Sequence, residues 1–345
     1  MHINNRQIGF GLPTYVIAEI SANHNQSIDR AVAIVHAAKE AGADAIKTQT
    51  YTADTITIDS DKDYFRIKGT LWDGMTLHRL YREAYTPWEW QPKLKELAAS
   101  LGMDFFSSPF DPKAVSFLES TGVAAYKIAS PEIVDIPLLR LIGATGKPVI
   151  LSTGMATLSE IDEAVCTLRD NGATDLLLLK CTSAYPAPPD EMNLRTMAHM
   201  AQAFGAPVGL SDHSMGYAVA VAAVALGACA IEKHLTLARS DGGPDSGFSM
   251  EPAEFKAMVD AVRVVERAVG KISYRPSPNE RISRLYRRSL FVVVDLRAGD
   301  TITQHNVRSI RPGHGLHPRY LDDILGRRAR RNVEKGTPFS WDILE

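Results

Sequence analysis

Eight short apolar runs, each turning polar at its C-terminal end and each separated from the next by helical periodicity, constrain the fold of this chain more than any other feature. The runs are YVIAEIS (15–21), AIKTQT (45–50), DFFSSPF (104–110), AYKIAS (125–130), PVILSTG (148–154), LLLLKCT (176–182), VGLSDH (208–213) and AIEKHLT (230–236). In the first connection, SIDRAVAIVHAAKEAGADAIK, residues Ile28, Ala31, Val32, Val35 and Ala38 follow the 3.6-residue period. Ser27 supplies an N-cap and Gly42 a stop. The same punctuation returns in LGMDFF, TGVAAYK, NGATDLL, FGAPVGL and LGACAIE. A strand-helix unit repeated eight times predicts an α/β fold of the (β/α)8 TIM-barrel type. An open doubly wound sheet is the competing arrangement.

In such a barrel the strand ends converge on one mouth, where active sites sit. Glu19, Lys47, Gln49, Ser108, Lys127, Ser130, Glu132, Ser152, Lys180, Ser211, Asp212, His213, Glu232, Lys233 and His234 all fall at strand ends. Lysines with hydroxyls favour an anionic, phosphorylated ligand; internal ion pairs with Glu19, Glu132 or Glu232 are the structural alternative. His213 and His234 end neighbouring strands, so two imidazoles can share one divalent cation. Side-chain alternation turns Lys233 away from Glu232 and His234, toward the helix layer and a structural ion pair.

Residues 51–90 are too long for a plain strand-helix loop and hold Trp72, Trp88 and Trp90. They form either an extra docked helix or a wall over the substrate. The net charge of -2 over 345 residues implies no dominant polyelectrolyte partner. The arginines Arg308, Arg311, Arg319, Arg327, Arg328, Arg330 and Arg331 have little aromatic interleaving, which favours a solvated face over a nucleic-acid patch. The longest apolar run, 217–231, is shorter than the ~20 residues of a membrane span, and MHINNRQIGFG lacks the pattern of a signal peptide. Cys166, Cys181 and Cys229 form no zinc or disulfide pattern and are expected in the core of a protein of the reducing cytoplasm.

The stretches IAEISANHN, AIKTQTYTADT, FFSSPFD, YKIASPEI, PVILSTGM, KCTSAYPAP, GLSDHS, IEKHLTL and GGPDSGFSMEP resemble, in order, the sialic acid synthase family of phosphoenolpyruvate-dependent nonulosonate synthases. TLWDGMTLHRLYREAYTPWEW and KCTSAY are nearer its pseudaminate branch than its N-acetylneuraminate branch. The resemblance implies condensation of phosphoenolpyruvate with an open-chain N-acetylated amino sugar, release of phosphate, and a divalent metal, often manganese, with magnesium or cobalt as alternatives. It implies metal ligation by His213 and His234, and phosphoenolpyruvate binding by Lys47, Ser108, Lys127, Ser130, Ser152, Ser183 and Ser211. Glu19, Gln49, Tyr185 and Asp245 match sugar-side or catalytic positions, with Glu132 near the reacting centre. Ser183 and Ser108 stand where N-acetylneuraminate synthases tend to carry Asn and Thr, which fits the pseudaminate branch. N-acetylneuraminate or legionaminate synthesis is the alternative within the family; a metal-dependent barrel hydrolase and a non-catalytic carbohydrate-binding protein are alternatives outside it.

Residues 1–270 are read as the barrel and 271–285, with its KISYRPSPNE stretch, as a linker. Over 286–345, the passages 292–303 and 330–340 echo one another, each reading as apolar strand, glycine turn and second strand. This predicts a small, mostly β module. It resembles the antifreeze-like or SAF domain of the same family, which implies a domain-swapped homodimer and a substrate contact from Arg311 in RPGHG.

Overall fold

The computed structural model describes residues 1–345, which divide into two compact units, Met1–Gly270 and Lys271–Glu345. In the first, eight parallel strands close into a barrel: β1 (Tyr15–Glu19), β2 (Ala45–Thr50), β3 (Asp104–Pro109), β4 (Tyr126–Ile128), β5 (Val149–Ser152), β6 (Leu176–Cys181), β7 (Val208–Asp212) and β8 (Ala230–His234). Closure is made by β8 against β1, with His234 opposite Glu19. The doubly wound alternative is thereby excluded.

Each strand is buried on both faces, and alternation divides its residues between two cores. Ile17, Ala45, Phe106, Ile150, Leu177 and Leu179 fill the barrel interior, while Val16, Ala18, Ile46, Leu151, Leu178 and Leu210 pack against the helices. Gly209 faces the crowded interior, where a Cβ would lie 2.5 Å from the Ala230 carbonyl and 2.7 Å from Leu179. Glycine is the residue that lets β7 pass there. A short antiparallel hairpin, His2–Ile3 with Arg6–Gln7, adds buried Ile3 and Ile8 to the same interior cluster.

The first helix spans Ile28–Ala41; Ser27 Oγ accepts from the Arg30 amide, and Gly42 ends it at φ 90°. In helix Leu158–Asp170 the inward positions are Ile161, Ala164, Val165 and Leu168. Cys166 falls on the opposite face and is exposed, correcting the expectation of a core thiol. Cys181 and Cys229 are buried.

In the second unit, Ser289–Val292 pairs antiparallel with Val307–Ile310. The strands expected at 292–303 and 330–340 are not ladders of this kind. These passages meet instead at Leu296 and Val333, whose amides and carbonyls exchange hydrogen bonds of 2.8 and 2.9 Å. Leu290, Val292, Ile302, Val307, Ile324 and Phe339 form the core. Part of the expected linker is helical: Pro278–Ser283 is started by a capping box between Ser277 and Glu280. No helix is long and apolar enough to cross a membrane.

Candidate active site

The interior-facing residue nearest the mouth of most strands is polar, and these side chains form one buried layer. Glu19 ends β1 with no exposure and is ion-paired to Lys47 of β2. Lys47 Nζ lies 3.5 Å from Glu232 Oε1 and 3.5 Å from Ser108 Oγ. Lys127 of β4 donates to Ser152 Oγ at 2.7 Å and lies 3.7 Å from the same Glu232 oxygen. Ser211 Oγ donates to Glu232 at 3.4 Å. Two carboxylates and two ammonium groups thus balance inside a layer where an isolated charge is costly.

These surroundings set the protonation behaviour. Burial pushes Glu19 up to about 7, against the pull of Lys47. Burial would do the same to Glu232, yet Lys127 and Lys47 hold it below its ordinary value. Lys47 is held above the usual lysine value by Glu19 and Glu232 despite burial, whereas burial lowers Lys127. The side-chain alternatives meet here: the lysines are both internally paired and gathered with the serines.

A second group of hydroxyls surrounds Gly154. Its amide donates to Ser130 Oγ at 3.0 Å. A Cβ at this glycine would lie 2.2 Å from Ser183 Oγ, 2.7 Å from Ser130 Oγ and 3.2 Å from Cys181 Sγ. The missing side chain lets three polar groups converge, an arrangement suited to anion oxygens. Ser108, Ser130, Ser152, Ser183, Ser211, Lys47 and Lys127 are all in or beside this layer.

His213 and His234 face one another with ring centroids 5.4 Å apart, and both are buried. His213 Nδ1 lies 3.1 Å from the Thr182 carbonyl; donating to it leaves Nε2 with the free lone pair. Burial and the neighbouring His213 push His234 well below its usual value, so it is neutral, and its buried Nδ1 has no partner. The partnerless Nδ1 of His234, beside the His213 ring whose Nδ1 is taken by the Thr182 carbonyl, fits a divalent cation. No group of three or more His, Cys, Asp or Glu is arranged around one point, so a cation here would complete its shell with oxygens of water or substrate.

Beside this pair, Asp245 accepts from Ser21 Oγ and, at 3.2 Å, from the Ala22 amide. Gln49 Nε2 donates to the same Ser21 Oγ at 3.3 Å. Tyr185 packs 4.4 Å from the His213 ring and 5.0 Å from Phe248, which stands 5.0 Å from His234. Glu132 follows β4 in a short helical turn, Ser130–Val134; its Oε2 is buried without a partner, and burial pushes it up to about 7.

Three strand-end candidates point elsewhere because of alternation. Lys233 Nζ pairs with Asp212 Oδ2 at 2.7 Å, at 1% and 0% side-chain exposure, and also donates to the Ser214 carbonyl. This pair ties together the chain positions on either side of His213 and the residue before His234. Lys180 donates to its neighbour's carbonyl, Cys181 O, at 2.8 Å. Arg311 belongs to the other unit, where it lines a cavity of about 820 Å³ with Arg284, Arg287 and Arg288. Cys181, 3.8 Å from His213 Nδ1, stands at the mouth beyond the sequence-derived set, and Glu232, a strand-end candidate given no role beyond an ion pair, bridges both lysines. The alternation of β6 and β8 carries the signal for both.

The NeuB family model matches residues 34–274, and a SAF domain model matches residues 287–345. The chain belongs to the NeuB family. Pseudaminic acid synthase of Helicobacter pylori is 44% identical over 96% of this chain and 98% of its own length. The N,N'-diacetyllegionaminic acid synthase of Legionella pneumophila is 39% identical over 98% and 96%. Among solved structures, the N-acetylneuraminic acid synthetase of Leptospira borgpetersenii superposes with a TM-score of 0.73 at 31% identity, over 82% of this chain and 94% of that one. The NeuB and SAF matches fall on the two units in chain order.

Proposed function

We propose that this NeuB-family chain is a pseudaminic acid synthase, condensing phosphoenolpyruvate with 2,4-diacetamido-2,4,6-trideoxy-L-altrose to give pseudaminic acid and phosphate. The observation that carries the reading is the buried layer of Lys47, Lys127 and convergent serines beside the His213–His234 pair. The 44% identity with the H. pylori pseudaminic acid synthase supports that product. A barrel hydrolase would have no use for two buried lysines among serines, and a carbohydrate-binding protein would have none for a partnerless buried Glu132.

The residues have separable tasks. Lys47 and Lys127 offset the charges of phosphate and carboxylate, and the hydroxyls around Gly154 orient the phosphate oxygens. Tyr185, Gln49 and Asp245 line the side from which the sugar aldehyde approaches, and burial of the whole layer excludes bulk water. His213 and His234 would hold the divalent cation, manganese in this proposal, which when bound supplies Lewis acidity. In the reaction C3 of phosphoenolpyruvate bonds to the aldehyde carbon, whose oxygen gains a proton. A water oxygen adds at C2 and becomes the product ketone as the C2–O bond to phosphate breaks. Glu132 takes one proton of that water and returns it to the former aldehyde oxygen, and the second water proton leaves with phosphate as the ketone forms; Glu19 is already tied to Lys47 and to the Ser21 amide at 2.9 Å.

We assign the assembly to a domain-swapped homodimer in which Arg311 of one copy reaches the acyl group of the sugar in the other. The exposed apolar side chains Ile272 and Tyr274, at 93% and 97%, suit a chain segment that meets a second copy. The three free thiols suit the reducing cytoplasm. Phosphate release from phosphoenolpyruvate with manganese tests the function, comparing the altrose acceptor, N-acetylmannosamine and the diacetamido-trideoxy precursor of legionaminate. Preference for the altrose is expected. Preference for another sugar moves the specificity within the family, and no release with any of them removes the assignment.

A further inference from the structure

The segment between β2 and β3 carries three tryptophans, and only one of them reaches the mouth. Trp88 donates to the Tyr51 carbonyl at 3.0 Å and packs 5.0 Å from Phe117, and Trp90 sets its edge against buried His24 at 5.4 Å. Both dock the segment onto the barrel. Trp72 instead donates from its indole nitrogen to the Pro244 carbonyl at 2.8 Å, beside Asp245, and its ring lies 5.8 Å from Tyr185. A run of rings therefore leads outward from His213 through Tyr185 to Trp72, with Phe248 closing its inner side.

We propose that Trp72 is a specificity-determining residue, the outer wall of the acceptor subsite, which packs on the 4-acetamido and 6-methyl groups of a diacetamido-trideoxy sugar. The inference rests on the synthase reading above. With the aldehyde carbon at the histidine pair, the later carbons of an open-chain sugar extend along this run of rings. At positions 4 and 6 the altrose acceptor carries an acetamido group and a methyl, where N-acetylmannosamine carries hydroxyls. Against an aromatic face the acetamido methyl and the C6 methyl gain burial, with the amide N–H and C=O left free to point away from the ring, while hydroxyls at both positions lose water without a partner. The indole hydrogen bond to Pro244 fixes the ring beside the loop that carries Asp245, so the apolar wall and the polar contact are held together. Because the legionaminate precursor has the same two groups, Trp72 separates trideoxy sugars from N-acetylmannosamine and does not read stereochemistry.

The test uses the full-length, manganese-loaded protein and the three acceptors, with Trp72→Ala, Trp72→Phe and Trp72→Gln. Trp72→Ala is expected to lower the kcat/KM ratio of the altrose over N-acetylmannosamine roughly 10-fold or more, chiefly through the acceptor KM. The KM for phosphoenolpyruvate and the ratio between the two trideoxy sugars should stay within about twofold. Trp72→Phe keeps most of the preference. Trp72→Gln retains an amide donor for Pro244 but not the apolar face, so it should lose the preference with less disturbance to docking, which keeps the test informative if the alanine variant unfolds. An unchanged ratio in the alanine and glutamine variants, or equal shifts in both KM values, would assign Trp72 to docking alone and overturn the proposal. Wild-type protein that turns over only N-acetylmannosamine would overturn the acceptor reading and the wall together, whereas trideoxy preference indifferent to Trp72 would overturn the wall and leave that reading intact.

Discussion

Glu132→Gln should make the protein more stable and far less active, and the two effects should follow different pH curves. Glu132 Oε2 is buried without a hydrogen-bond partner, and burial raises the carboxyl from 4.5 to about 7. Lys127 opposes that shift, Asp135 adds to it, and Tyr81 also feels the Glu132 charge. A folded value above the unfolded one means that the native state binds the extra proton between these limits. Stability relative to a neutral side chain is therefore complete below pH 4.5, falls as pH rises, and has lost its full increment above about 7. The shift corresponds to about 3 kcal/mol at neutral to alkaline pH. Urea unfolding of both proteins from pH 5 to 8.5 measures it: the glutamine curve should rise above the wild-type curve progressively across that interval. Phosphate release should increase with pH through about 7 in the wild type, as a base is uncovered, and stay low throughout in the variant. Parallel stability curves would refute the burial argument. A variant that keeps its turnover would remove Glu132 from the proton transfer.

Three further outcomes follow from the layer and from the ion pair behind it. Lys233→Met leaves the Asp212 carboxylate buried without its partner and should cost about 3–5 kcal/mol in chemical unfolding; Asp212→Asn combined with it should recover part of that loss, and a cost below about 1 kcal/mol would show the pair to be dispensable. Gly154→Ala should weaken phosphoenolpyruvate binding roughly 10-fold or more by displacing Ser183 and Ser130, seen by calorimetric titration; intact binding would place the phosphate elsewhere. Chelation should abolish phosphate release and manganese should restore it in the wild type, while His234→Ala should lose the manganese signal in equilibrium binding as well as the activity.

The barrel was legible because fully buried strands must be continuous apolar runs and their helices must punctuate them with glycine. Site positions were legible to the extent that a strand end puts a polar residue at the mouth. Lys180, Asp212 and Lys233 share that position yet face outward, and a list of strand-end residues mixes both directions. Cys181 and Glu232 show the reverse: the first reads as a core thiol and the second as a neighbour of a ligand, and only closure of the barrel brings them to His213 and the two lysines. The amino-terminal hairpin has strands of two residues each, too short for any period to register. In the second unit the repeated passages revealed a shared local shape but not the pairing, because isolated bridges depend on chain segments distant in sequence.

The contrast between Glu232, Lys233 and His234 follows from this geometry. A two-residue period gives the first and third positions to the barrel interior and the second to the helices. Inside, Glu232 meets Lys47 and Lys127, and His234 meets His213; outside, Lys233 meets Asp212. Asp212 precedes His213 as Lys233 precedes His234, so the outer ion pair fixes the relative height of the two strands that carry the histidines. A shift of one residue between β7 and β8 would break the Lys233–Asp212 pair and misplace both imidazoles at once. The buried charges that stabilise the register and the groups assigned to chemistry therefore occupy alternate positions of the same five-residue strand.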